Sequence, residues 1–110
     1  MIKVLALIKR KPGISHEEFV QHYEEVHAPL AVKHLTTISR YVRNHIVSMP
    51  GTPEIDYDCI TEFWYEDMEA AQASYDFLNS EAGQVIHDDE DTFMDTANVV
   101  ALLVDEREFK

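Results

Sequence analysis

A chain of 110 residues, 45% of them hydrophobic, suffices for one domain (1–110) with a modest core and is too apolar for a disordered protein. A net charge of −12 repels phosphate and so excludes nucleic acid and anionic membrane surfaces as partners. No apolar run approaches the ~20 residues that span a bilayer, and the single cysteine, Cys59, forms no internal disulfide and suits a reducing cytoplasm.

Residues 1–9 predict a strand, with Ile2, Val4, Ala6 and Ile8 on one face and Leu5 and Leu7 on the other. Lys9-Arg10-Lys11 follows this apolar run, the reverse of the order in a signal peptide, so a buried first strand is expected. Lys11-Pro12-Gly13 supplies a turn. Ser15 and Glu18 form a capping box, and Ile14 and Phe19 a hydrophobic staple, at the start of a helix. Its expected buried stripe is Phe19, Tyr23, Val26 and Leu30, and Pro29 is expected to end or kink it at Ala28.

A second strand is expected over 40–48, with Tyr41, Arg43, His45 and Val47 on one face, and an irregular loop over 49–53. A third strand over 57–65 sets Cys59, Thr61, Phe63 and Tyr65 against Asp58, Ile60, Glu62 and Trp64. Asp67 caps a second helix with Met68, Ala71, Tyr75 and Leu78 as its stripe. Ser80–Glu90 is a further helical segment and Asn98–Val104 a last strand. The acidic runs at 87–91 and 105–106 are expected to be solvated faces, since they lack the alternating ligands and glycine of a calcium loop.

Strand, helix, strand, strand, helix, strand is the α+β, ferredoxin-like βαββαβ order, an antiparallel sheet with helices on one face. The other face then holds Leu5, Leu7, Ile60 and Trp64 together with Glu62, and a two-fold homodimer would cover it.

Five segments in order carry a family likeness: Lys-Arg-Lys-Pro-Gly-Ile-Ser-x-Glu-Glu-Phe at 9–19, His-Ala-Pro-Leu at 27–30, Arg-Tyr-Val-Arg-Asn-His at 40–45, Tyr-Asp at 57–58 and Glu-Phe-Trp at 62–64. Asp91-Thr92-Phe93-Met94-Asp95 adds an acidic-Phe-Asp tail. Over nearly the whole chain this resembles the EthD-domain family, which implies the dimeric α+β barrel superfamily. The resemblance implies a cofactor-independent enzyme acting on a cyclic, aromatic or polyketide-like small molecule, of lyase, isomerase or cyclase type. It equally allows a cofactor-free monooxygenase or an accessory protein to an oxygenase system, and a non-catalytic binder of hydrophobic ligands is the third reading.

His27 is the first candidate for chemistry. A helix C-terminus favours its imidazolium and burial favours the neutral ring, and between those limits histidine transfers protons near neutral pH. The resemblance implies that the matching histidine belongs to an active site; spacing alone equally allows a structural histidine on free carbonyls. Tyr41 and His45 flank Arg43 on one strand face, where a phenol, a guanidinium and an imidazole could polarise an oxygen. Phe19, Tyr23, Cys59, Thr61 and Phe63 are expected to face the same space, either as a substrate pocket with Arg43 or as packed core. The histidines show no HxxxH or HxH pair, and there is no glycine-rich phosphate loop, so neither a metal nor a nucleotide cofactor is expected. The first strand lacks the asparagine that haem-degrading relatives carry there, and haem is not expected either.

Overall fold

Apolar residues on both faces of the first segment require cover on both sides. In the computed structural model, which describes residues 1–110, this segment forms β1 (Ile2–Ile8) inside the sheet. It lies between β3 (Cys59–Tyr65) and β4 (Val100–Val104), and β2 (Ile38–His45) closes the far edge, giving the order β2-β3-β1-β4 with every pair antiparallel. This is the ferredoxin-like arrangement. Register sets Val4 opposite Phe63 and Ala6 opposite Thr61, so even positions of β1 and odd positions of β3 share the helix-covered face. Leu5, Glu62 and Leu102 face the other way.

The turn into the first helix needs Gly13, whose φ of 96° is costly for any residue with a Cβ. Helix α1 (His16–His22) starts at the expected capping box: Ser15 Oγ accepts from the Glu18 N–H at 3.1 Å, and Glu18 Oε1 accepts from the Ser15 N–H at 3.1 Å. Ile14 packs on the cluster that contains Phe19.

The helix does not end at Pro29. A π-helical turn (Tyr23–His27) leads into α2 (Ala28–His34), with Pro29 in its first turn. The Ala28 N–H donates five residues back to the Tyr23 carbonyl, and the widened turn absorbs the proline's missing donor. His27 therefore lies mid-helix, not at a helix C-terminus. The extra residue in the turn also shifts the buried stripe to Phe19, Tyr23, His27, Ala31 and Leu35, and Val26 is left exposed.

After β3, Asp67 caps α3 (Met68–Leu78) through the Ala70 N–H. Ala71 and Ser74 are its buried residues, whereas Met68 and Tyr75 of the expected stripe are about half exposed. The segment expected at 80–90 forms a short 3₁₀ turn and then α4 (Gln84–Phe93). Phe93 ends inside the core, 5.3 Å from Phe19 between ring centres. Asp58 is buried beside β3 and accepts from the Arg10 N–H and from His16 Nδ1, both at 2.8 Å, which fastens the end of β1 to the start of α1. Burial alone would raise its carboxyl; these bonds take it below the usual range instead. No helix is long and apolar enough to cross a membrane.

Candidate functional site

Between the sheet and the helices lies a cavity of about 290 Å³. Val4, Ala6 and Ile8 of β1 and Phe63 and Tyr65 of β3 form its floor. Fifteen of its nineteen lining residues are hydrophobic, which leaves His27, Ser74, His87 and Glu90 as the polar ones that set its chemistry.

His27 is 3% exposed. Its Nδ1 lies 2.8 Å from Asp89 Oδ2 on α4, and the same carboxylate takes His22 Nε2 at 3.0 and 3.1 Å. Burial pushes the His27 imidazole below its ordinary pKa, and the Asp89 hydrogen bond opposes this without reversing it. A neutral ring next to a carboxylate carries its proton on Nδ1, since the carboxylate only accepts. Nε2 is then the basic nitrogen, and it has no hydrogen-bond partner in the protein. Tyr23 stands edge-on to the ring at 5.5 Å and Phe93 lies at 5.0 Å, so the imidazole cannot swing freely.

A line of hydroxyls runs from the cavity wall at Tyr41 and Tyr23 into the core at Thr61. The Tyr41 O–H donates to the Tyr23 oxygen at 3.0 Å, and Tyr23 lies 2.8 Å from Thr61 Oγ1. Since Tyr23 accepts from Tyr41, its own proton goes to Thr61. Burial raises both phenols well above their usual range, so they stay protonated. Burial likewise pushes the Cys59 thiol up to about 11, which makes it inert as a nucleophile at neutral pH.

Of the expected site residues, His27, Tyr23, Tyr41 and Phe63 line the cavity together. Phe19, Cys59 and Thr61 are wholly buried and do not reach it. Arg43 and His45 also lie outside it. The Arg43 guanidinium grips Glu24 at 3.0 and 2.8 Å and donates to the Tyr41 carbonyl at 2.8 Å, while His45 Nε2 meets Glu24 at 2.7 Å. Through Glu24, Arg43 and His45 brace β2 against the π-helical turn. Glu62 is tied to Asn44 and Trp64, each at 2.9 Å, and to Lys3 at 3.5 Å on the open sheet face.

Sequence reasoning missed the α4 contribution. Asp89, Glu90 and His87 were expected in a solvated acidic run, yet they turn inward. The signal was the spacing Ile86, Asp89, Glu90, Phe93, which is i, i+3, i+4, i+7 and puts both carboxylates on the apolar face of the helix. No group of three or more His, Cys, Asp or Glu side chains converges in the geometry of a metal site.

The sequence profile of the EthD domain matches residues 11–97. A search of curated proteins finds no match. Among solved structures, an ethyl tert-butyl ether D (EthD) family protein from Bacillus halodurans C-125 is 21% identical, with 97% of this chain and 100% of that chain covered and a TM-score of 0.70. A protein from Arabidopsis thaliana is 19% identical over 100% and 99% of the two chains, with a TM-score of 0.67. A dimeric ferredoxin-like protein from an uncultured marine organism is 17% identical over 99% and 97%, with a TM-score of 0.64. At such identities the likeness is one of fold.

Proposed function

The chain belongs to the EthD domain family, and from this premise we propose that it is a small homodimeric enzyme that moves a proton on an apolar, cyclic small molecule without a cofactor, with His27 as the acid–base group. One observation carries the reading: a buried imidazole in the wall of an apolar cavity, fixed through Nδ1 on Asp89 and free at Nε2. Nε2 takes a proton from an acidic C–H or O–H of the bound molecule, and Asp89 stabilises the imidazolium until the proton is returned to another atom. A ligand oxygen that gains charge meets the Tyr41 hydroxyl, which turns from Tyr23 to donate to it. Proton transfer of this kind supports lyase, isomerase or cyclase chemistry. Partnership with a second copy is supported by the uncovered apolar sheet face and by the dimeric neighbour.

The test is deuterium exchange into 2-tetralone, a cyclic ketone with acidic C–H bonds and a size suited to the cavity, followed by NMR in D₂O. The wild type should accelerate exchange, His27→Ala should lose roughly 10²-fold or more, and Asp89→Asn should lose part of that. Because burial lowers the His27 pKa, the base form persists below the ordinary imidazole value, and the acid limb of the rate should fall below about pH 6.5. Undiminished exchange by a folded His27→Ala protein would remove the assignment.

A further inference from the structure

A second polar pair in the cavity has no part in the proton transfer proposed above. His87 and Glu90 stand three residues apart on α4, both in the cavity wall. His87 Nε2 lies 2.8 Å from the Leu78 carbonyl and Nδ1 lies 2.9 Å from Glu90 Oε1. A carbonyl on one side and a carboxylate on the other both accept, so the two contacts, the Leu78 carbonyl first, favour the doubly protonated ring and raise its pKa above the ordinary imidazole value. The Nδ1 contact fixes the rotation of the Glu90 carboxylate. Glu90 Oε1 is engaged in this way; Oε2 has no hydrogen-bond partner in the protein, and the side chain keeps 27% of its surface accessible. His27 Nε2 and Glu90 Oε2 are thus two unengaged acceptors on residues of the cavity wall, which is otherwise mostly apolar.

We propose that Glu90 is the second polar anchor of the cavity and selects an apolar molecule bearing a neutral hydroxyl, whose O–H donates to Oε2 while another part of the molecule reaches His27. The inference rests on the reading of this cavity as a ligand site. A neutral donor fits better than an ammonium, because the His87 ring, whose protonated form is favoured, sits against Glu90 and repels a second cation. An anionic head group is disfavoured by Glu90 and by Asp89 beside it.

Calorimetric titration with 4-propylphenol, 4-propylanisole and 3-phenylpropylamine tests this without reference to catalysis. The wild type should prefer the phenol over the anisole by about tenfold, the size of one well-made hydrogen bond to a charged acceptor. Glu90→Leu should abolish the preference while still binding the anisole, and His27→Leu should keep it. If Glu90→Leu also loses the anisole through misfolding, Glu90→Gln decides, and its preference should fall at least threefold. A preference that survives in Glu90→Leu and vanishes in His27→Leu overturns the anchor but leaves the site at His27 standing. Tightest binding of the amine overturns the neutral hydroxyl. No binding of any of the three to the wild type overturns both the anchor and the ligand cavity.

Discussion

Glu24 is the anion on which two cationic or polar side chains of β2 converge. Its carboxyl is held down to about 2, first by the Arg43 hydrogen bond and then by His45, against a partial desolvation that acts the other way. A folded-state pKa below the unfolded one adds stability that is present above the unfolded value, near 4.5, and is lost as pH falls through the folded value, near 2. The side chain is 37% exposed, so solvent screening reduces the effect to about 1 kcal/mol. Glu24→Gln should cost that much in urea unfolding at pH 7, and the difference from wild type should vanish as pH approaches 2. A constant difference across that window would show that packing, and not charge, holds the cluster. The change also reaches His45, whose Nδ1 is buried without a hydrogen-bond partner, so Glu24 is that ring's only polar contact. Alternation predicted that Tyr41, Arg43 and His45 share a face. It did not predict that only Tyr41 meets the cavity. Four residues along a strand are about 13 Å, and this carries His45 past the cavity to the ring edge of Phe19. The His27 partner was hidden for a different reason: a run of five charged or polar residues reads as solvated unless the apolar residues on either side of it are counted as one helix face.

The π-helical turn and the α3–α4 junction are the two elements that aim the site. The turn places His27 on the same stripe as Tyr23 and Ala31; the junction sets the roll of α4 and hence the position of Asp89. The junction depends on Gly83. A Cβ there would lie 2.3 Å from the Phe77 carbonyl oxygen and 2.7 Å from that of Leu78, both backbone atoms that cannot rotate aside. Gly83→Ala should therefore cost about 3 kcal/mol, at the upper end for overpacking, read as a lower urea midpoint with an unchanged slope. It should also shift the His27 ring signals in NMR, because α4 must move to relieve the clash. A neutral substitution would mean that the junction yields without cost. Strands and caps were legible from the sequence because each depends on neighbours two to four residues away: Ser15 with Glu18, Asp67 with Ala70, alternation in β1. The π turn was not, since it is a response to Pro29 combined with the need to bury both Tyr23 and His27, and no local preference encodes it.

For the whole molecule the question is what covers the open sheet face. Leu5, Leu7, Ile60, Trp64 and Leu102 lie there around the Glu62–Lys3–Asn44 network, and Lys3 and Arg40 flank the Trp64 ring at 4.8 and 5.4 Å. Polar groups at the centre of this face are already satisfied within the chain. Glu62, held below the usual carboxylate range first by Asn44, needs no partner from a second copy. What remains to bury is apolar, and apolar area drives association. Each chain carries −12, so long-range repulsion opposes pairing, and salt screens it over a Debye length of about 8 Å at physiological strength. The proposed dimer should therefore tighten as salt rises, opposite to an interface held by ion pairs. Leu102→Glu places a charge on the open face, whereas Leu103→Glu places one on the same strand but the opposite face, since Leu102 pairs with Leu5 and Leu103 with Val4. Both leucines are more than a third exposed in the single chain, so neither change should cost more than about 0.5 kcal/mol of intrinsic stability. Sedimentation should show the wild type and Leu103→Glu at twice the 12.7 kDa chain mass and Leu102→Glu at the chain mass. Dimers in all three would move the interface elsewhere, and a monomeric wild type at high salt would leave the sheet face uncovered in solution.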